Sequence, residues 1–167
     1  MRRLKHADIP VPENLRGFPI TEKGYIKPWF VKGDDFRVVD VDKALESLHD
    51  WKCWICGKKI KGSAAFVTGP VSAENCVSSE PPCHNSCATY AVQVCPFILL
   101  PNAKRREAGL KPEELAGSAL ATIENPGVYA ITRVSKYRVR YMVDHWVAMY
   151  SQRHIKSRVW WIEGKIA

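Results

Sequence analysis

Six cysteines and a histidine beside two of them are the most chemically loaded residues of this 167-residue chain. Cys53 and Cys56 stand in KCWICG, a C-x-x-C pair followed by Gly57. That spacing makes a knuckle, a tight turn that aims two thiolates at one ion, and the glycine supplies the left-handed backbone the turn needs. A knuckle provides two ligands and structural zinc takes four, so two more must come from EPPCHNSC (80–87) or its neighbours. The candidates are Cys76, Cys83, His84, Cys87 and Cys95. His84 and Cys87, three positions apart at the start of a helix, converge best on one ion. Cys83 and Cys87, four apart, also fit a helix face, but Cys83 adjoins Pro82, where the chain is still entering the helix. Cys95 lies two helical turns past Cys87 and reads as a small buried hydrophobe. Cys76, in a loop, is the substitute if His84 does not ligate. The preferred set, Cys53, Cys56, His84 and Cys87, leaves no open position for water, so the zinc it implies is structural.

Two zinc enzymes use related clusters and can be tested on the residues. A nucleobase deaminase needs H-x-E upstream of P-C-x-x-C, with the glutamate moving the proton. Neither His6 nor His49 has a glutamate two positions later, and the cluster here is Pro82-Cys83-x-x-x-Cys87. A nuclease of the HNH type needs a histidine base and a second metal near its strand pair. SAAFVTGP (63–70) offers neither histidine nor carboxylate, which leaves Glu74, Asn75, Glu80 and Asn85 as the polar neighbours. Glu80 could serve as acid or base, but capping the next helix or pairing with a lysine is the simpler role. No phosphate-binding glycine loop, GxSxG or HExxH is present.

The net charge of +8 points to a polyanion instead. Residues 1–50 carry nine basic and nine acidic side chains, while residues 128–167 carry eight basic ones against Asp144 and Glu163. A basic C-terminal third suits nucleic acid, since neutralised phosphates release counterions; a solvated face is the plainer alternative. The contact residues expected are Arg133, Lys136, Arg138, Arg140, Arg153, Lys156 and Arg158. In YRVRY the two arginines share one strand face, opposite Tyr137, Val139 and Tyr141. Trp54 in the knuckle and Trp146, Trp160 and Trp161 in the basic third are candidate stacking platforms, although one of the tandem pair belongs in the core.

These residues need elements to hold them. With 46% apolar and 10% aromatic residues the chain can build a core. It is read as one domain over 1–167, with an extended, proline-containing arm (1–33), a zinc module (51–101) and a basic segment (126–167). Tyr25, Trp29, Phe30 and Val31 would anchor the arm. DDFRVVDV (34–41) reads as a strand, and Asp42 caps a helix over 42–51 that buries Ala44, Leu45, Leu48 and Trp51. SAAFVTGP is a strand and 71–82 a loop. A helix opens at Pro82, with Cys87, Ala91, Val94 and Cys95 on one face, until Pro96 and Pro101 end or kink it. Residues 104–120 hold one or two short helices, 125–127 a turn, 127–134 and 137–143 strands, 145–153 a further strand and 155–164 a helix. Knuckle, strand pair, loop and ligand-bearing helix follow the treble-clef layout, giving an α+β fold with a small antiparallel sheet around the zinc. With no apolar run of about 18 residues and no signal peptide, the protein is expected in the cytosol, where paired cysteines bind metal rather than form disulfides.

The strings CWICG, FVTGP and EPPCHNSCATYAVQVCPF, with PWFV at 28–31 and WWIEG at 160–164, resemble a family of small, largely uncharacterised bacterial and phage proteins. The resemblance is thin outside the middle of the chain. It implies that the positions of Cys53, Cys56, His84, Cys87 and Cys95 are kept. Other residues usually stand where this chain has Cys76 and Cys83, and relatives often continue past WWxEG. It brings no activity. The function expected is therefore a zinc-stabilised, non-enzymatic bacterial or phage protein that binds DNA or RNA. The alternatives are a protein-interaction module, such as a phage-encoded inhibitor of a host protein, and, further off, a metal-dependent nuclease.

Overall fold

The computed structural model describes residues 3–100, 103–104, 108–115 and 125–167. The sequence reading of 105–107 and 116–120 lies outside them. Among the described residues, five α-helices and seven strands follow in the order α1 (Val41–Asp50), β1 (Ala64–Thr68), α2 (Pro70–Asn75), β2 (Val77–Ser78), α3 (Asn85–Val94), α4 (Pro96–Leu99), α5 (Pro112–Leu115), β3 (Tyr129–Val134), β4 (Arg138–Met142), β5 (His145–Met149), β6 (Ile155–Ile162) and β7 (Lys165–Ile166). The class is α+β, as the sequence indicates, but the strands form two antiparallel sheets rather than one. Their orders are β1-β3-β6-β7 and β2-β5-β4. No helix among the described residues is long and apolar enough to cross a membrane.

Local chemistry moves several boundaries. The stretch 34–41 is not a strand. Asp35 folds it into a turn by accepting the backbone N–H and the guanidinium of Arg37, leaving only a single bridge from Val39 to Val31. The cap of α1 is Asp40, which accepts from the Lys43 N–H at 3.2 Å; Asp42 lies in the first turn. Within the expected loop 71–82, Pro70 starts α2 and Cys76 ends it in the left-handed conformation. The helix expected to open at Pro82 is α3 and begins at Asn85, because the chain before it bonds to β1. Cys83 and Ala65 exchange backbone hydrogen bonds of 2.7 and 2.8 Å. It stops where Cys95, extended ahead of Pro96, cannot continue it.

The largest correction is 155–164. The expected helix is instead β6, paired along its length with the buried strand β3, then a turn into β7. Ile155, Val159 and Ile162 satisfy helical spacing, but an eight-residue run rich in β-branched and aromatic residues also fits a strand. The open edge of β3 decides between them. The 145–153 strand is shorter than expected, ending at Met149 before a 3₁₀ turn at Gln152–His154.

Phe66 of β1 joins the two sheets. It stacks on Tyr150, just past β5, and meets the edge of Tyr137, whose hydroxyl donates to the Leu48 carbonyl near the end of α1 at 2.7 Å. The arm anchors where expected: Val31 is buried, Phe30 stacks on Trp54 with centroids 4.1 Å apart, and the Trp29 N–H donates to the Ile55 carbonyl. These contacts put the arm directly on the knuckle.

Candidate metal centre

The knuckle closes through its own backbone. The Cys53 N–H donates to the Lys58 carbonyl, the Gly57 N–H to the Cys53 carbonyl and the Ile60 N–H to the Trp51 carbonyl. Gly57 has φ +76°, and a Cβ there would come within 2.7 Å of the Trp29 indole, so both the backbone and the packed ring require glycine. The Trp54 N–H donates to the Pro82 carbonyl, which ties the knuckle to the segment leading into α3.

That tie brings four donors together. The Sγ atoms of Cys53, Cys56 and Cys87 and a ring nitrogen of His84 all lie within 4.8 Å of one another. The three cysteines are buried and His84 half-buried. An ion held about 2.3 Å from sulfur and about 2.0–2.1 Å from nitrogen in tetrahedral geometry separates its S and N ligands by roughly 3.6 Å. The Cys56 Sγ to His84 Nδ1 distance is 3.3 Å, close to the edge length of such a tetrahedron.

The imidazole is oriented for the role. Its Nε2 lies 3.0 Å from the Lys59 carbonyl, an atom that can only accept, so Nε2 carries the proton. In neutral His84 the lone pair then sits on Nδ1 and faces the sulfurs, the outer-shell arrangement of a metal-bound histidine. The Asn14 amide nitrogen lies 3.4 Å from the same Nδ1. Asn14 and the Lys59 carbonyl are site residues that the sequence does not reveal, since an outer-shell partner carries no spacing signature.

Without an ion the cluster shares protons. Burial resists ionisation of Cys53, but hydrogen bonds from Cys56, Cys83, Cys87 and His84 together outweigh it and push its thiol down. Hydrogen bonding to Cys53 and then Cys56 pushes Cys87 up, and burial adds to it. Burial first, then the hydrogen bond to Cys53, keeps the Cys83 thiol protonated. His84 is raised to about 10 by hydrogen bonds to Cys53 and Cys56, against desolvation. Its folded value lies above the ordinary 6.5 of histidine. The imidazolium therefore stabilises the metal-free fold fully below about pH 6.5, and that contribution is lost as the pH rises through about 10. A cation must displace these protons to bind. Competition with a divalent-ion indicator should accordingly show affinity climbing steeply from about pH 6 to about pH 8. An affinity flat across that range would show that these donors do not hold the ion.

The remaining cysteines fall outside the group. Cys76 is buried, with its Sγ 3.8 Å from the Glu74 carbonyl. Cys83 is buried beside Cys53 without joining the four donors, and Cys95 is half-buried rather than buried, lining a groove of about 1070 Å³ with Tyr25, Phe30, Trp54, Tyr90 and Tyr129.

The basic residues divide in two. Arg133 donates to the Ser63 hydroxyl at 3.1 Å, and Arg158 to the Thr132 hydroxyl at 2.9 Å and the Ala73 carbonyl at 2.7 Å, so both are engaged within the fold. Lys136, Arg138, Arg140, Arg153 and Lys156 are exposed. The Ser135 N–H donates to the His154 carbonyl, which draws the segments holding Lys136, Arg138, Arg153 and Lys156 together at one end of the sheets. Trp161 is buried and Trp160 half-buried, dividing the tandem pair as expected. Set against known proteins, the chain matches no family model, no curated protein and no solved structure.

Proposed function

We propose that this chain is a zinc-stabilised nucleic-acid-binding protein of the bacterial or phage cytosol, without catalytic activity of its own. Three thiolates and one imidazole form a soft, closed, tetrahedral donor set, which favours zinc in a structural role. On this reading the knuckle, β1, the extended 82–84 segment and the start of α3 would make up a treble clef around the ion. One observation supports nucleic acid above the rest: Lys136, Arg138, Arg140, Arg153 and Lys156, all exposed in the C-terminal third, have no ion-pair partner among the described residues. Cations left unneutralised in one region are the footprint of a polyanion site.

The test is retention on duplex DNA as a function of salt. Arg138→Ala with Arg140→Ala should weaken binding and flatten the slope of log K against log salt by about 2, one unit for each phosphate no longer neutralised. No binding at low salt, or a slope that the double substitution leaves unchanged, overturns the proposal. The apolar groove favours a second reading, a protein-interaction module such as a phage-encoded inhibitor of a host protein. That reading calls for one stoichiometric protein partner and no salt-dependent retention on DNA.

A further inference from the structure

We infer that the β4–β5 hairpin is the part of the molecule that enters nucleic acid, as a two-stranded ribbon in the major groove of duplex DNA. This rests on the nucleic-acid reading above and names its partner and contact element.

The ribbon is visible in the pairing. Among the described residues, β4 pairs only with β5, and β5 meets β2 only at Met149 and Ala148. From Val147 to the tip the element is therefore two strands wide. Just behind the turn, Tyr141 and Trp146 meet edge to face at 5.2 Å, and Trp146 meets His49 of α1 at 5.1 Å, which ties the hairpin to the body of the fold. Arg138, Arg140 and Met142 alternate onto the opposite face, in register with Met149, Val147 and His145.

The tip carries apolar side chains into water. Tyr141 is 58% exposed, Met142 40% and Val143 96%. Val143 also has φ +55°, closed by the Asp144 N–H donating to the Met142 carbonyl at 2.7 Å. A β-branched residue is a poor occupant of the left-handed region, and two-residue hairpin turns favour Gly, Asn or Asp there. Val143 thus strains its turn and buries almost nothing in return, the pattern of a side chain kept for contact with something outside the fold.

Dimensions and charge select the partner. Two strands about 4.8 Å apart, with their side chains, fit a major groove about 12 Å wide and about 8.5 Å deep. Arg140 lies three residues behind Val143, roughly 10 Å along the strand, so it reaches the phosphates when the tip reaches the base edges. Arg138, two residues further back, continues along the backbone. Asp144 separates this partner from an anionic membrane. Exposed beside Val143, it would be driven into the acyl region by insertion, whereas at a groove floor it can accept from a cytosine amino group. The deep, narrow major groove of duplex RNA excludes the ribbon.

The experiment is fluorescence anisotropy with a labelled mixed-sequence DNA duplex, the RNA duplex of the same sequence, and vesicles of phosphatidylserine and phosphatidylcholine. Val143→Gly combined with Met142→Ser removes the two apolar side chains nearest the turn and relieves its strain, so the variant should melt no lower than the parent. It should bind the DNA duplex about tenfold more weakly with an unchanged salt slope, because the side chains it removes carry no charge. The parent should bind the RNA duplex at least about tenfold more weakly than DNA. If the parent binds DNA with a salt slope and the tip variant binds equally well, the hairpin is overturned while the nucleic-acid reading stands. Equal or tighter binding to the RNA duplex overturns groove insertion, and preferential binding to vesicles makes the tip a membrane contact. A parent that binds neither duplex overturns both the hairpin and the reading beneath it.

Discussion

Replacing Cys53 by serine is expected to abolish stoichiometric metal binding and lower the melting temperature by about 8–16 °C. Cys53 is fully buried at the centre of the donor group, where Cys56, Cys83, Cys87 and His84 all direct hydrogen bonds toward it. Structural zinc contributes about 10–16 kcal/mol in finger peptides that have no other core, whereas whole domains are stable by only about 5–15 kcal/mol. This chain has a core besides the cluster, so a partial loss of about 4 kcal/mol is the reasonable expectation, and in a chain of this size each kcal/mol moves the midpoint by about 2–4 °C. Metal analysis should fall from one ion per chain to almost none, and a chelator should destabilise the parent to a similar extent. Cys76→Ser is the control: its thiol lies outside the group, so metal content should stay at one ion per chain. If Cys53→Ser or His84→Ala retains one ion per chain, the ligand set is wrong.

The second large effect belongs to the core. Phe66→Ala should cost about 3–5 kcal/mol, measured as a lower denaturant midpoint at unchanged m-value. Phe66 is fully buried, and its ring lies between Tyr150 and Tyr137 at centroid distances of 5.5 and 5.2 Å. Removing the ring opens a cavity where the two sheets meet, and both aromatic pairs disappear with it. Phe66→Leu, which keeps most of the volume, should cost clearly less. Metal content should survive both changes, because no ligand lies on β1. Release of the ion from Phe66→Ala would instead show that the cluster depends on the packing of β1 against 82–84.

Features written in short-range spacing were legible in the sequence. Cys53 and Cys56 three apart before a glycine, and His84 and Cys87 three apart at a helix start, name their own chemistry because four donors around one ion require those separations. The surplus of cations in the last forty residues is a matter of composition alone. The helix Val41–Asp50 was recognisable from its apolar period, although its cap stands two residues earlier than expected.

Long-range pairing could not be read that way. IKSRVWWI matches helical and strand patterns alike, and the unpaired edge of Tyr129–Val134 made it a strand. The same pairing set Arg158 beside Thr132, and the neighbouring contact with Ser63 engaged Arg133, so two of the seven cations expected to meet nucleic acid also hydrogen-bond within the fold. Only the folded chain carries Asn14 to His84, seventy residues away in sequence, and leaves Val143 exposed at a hairpin tip. The sequence alone determined the donor types, their local spacing and the charge. Tertiary structure decided which donors meet, which cations stay free and which strand edges are covered, because each of those depends on contacts between residues far apart in the chain, where no local period operates.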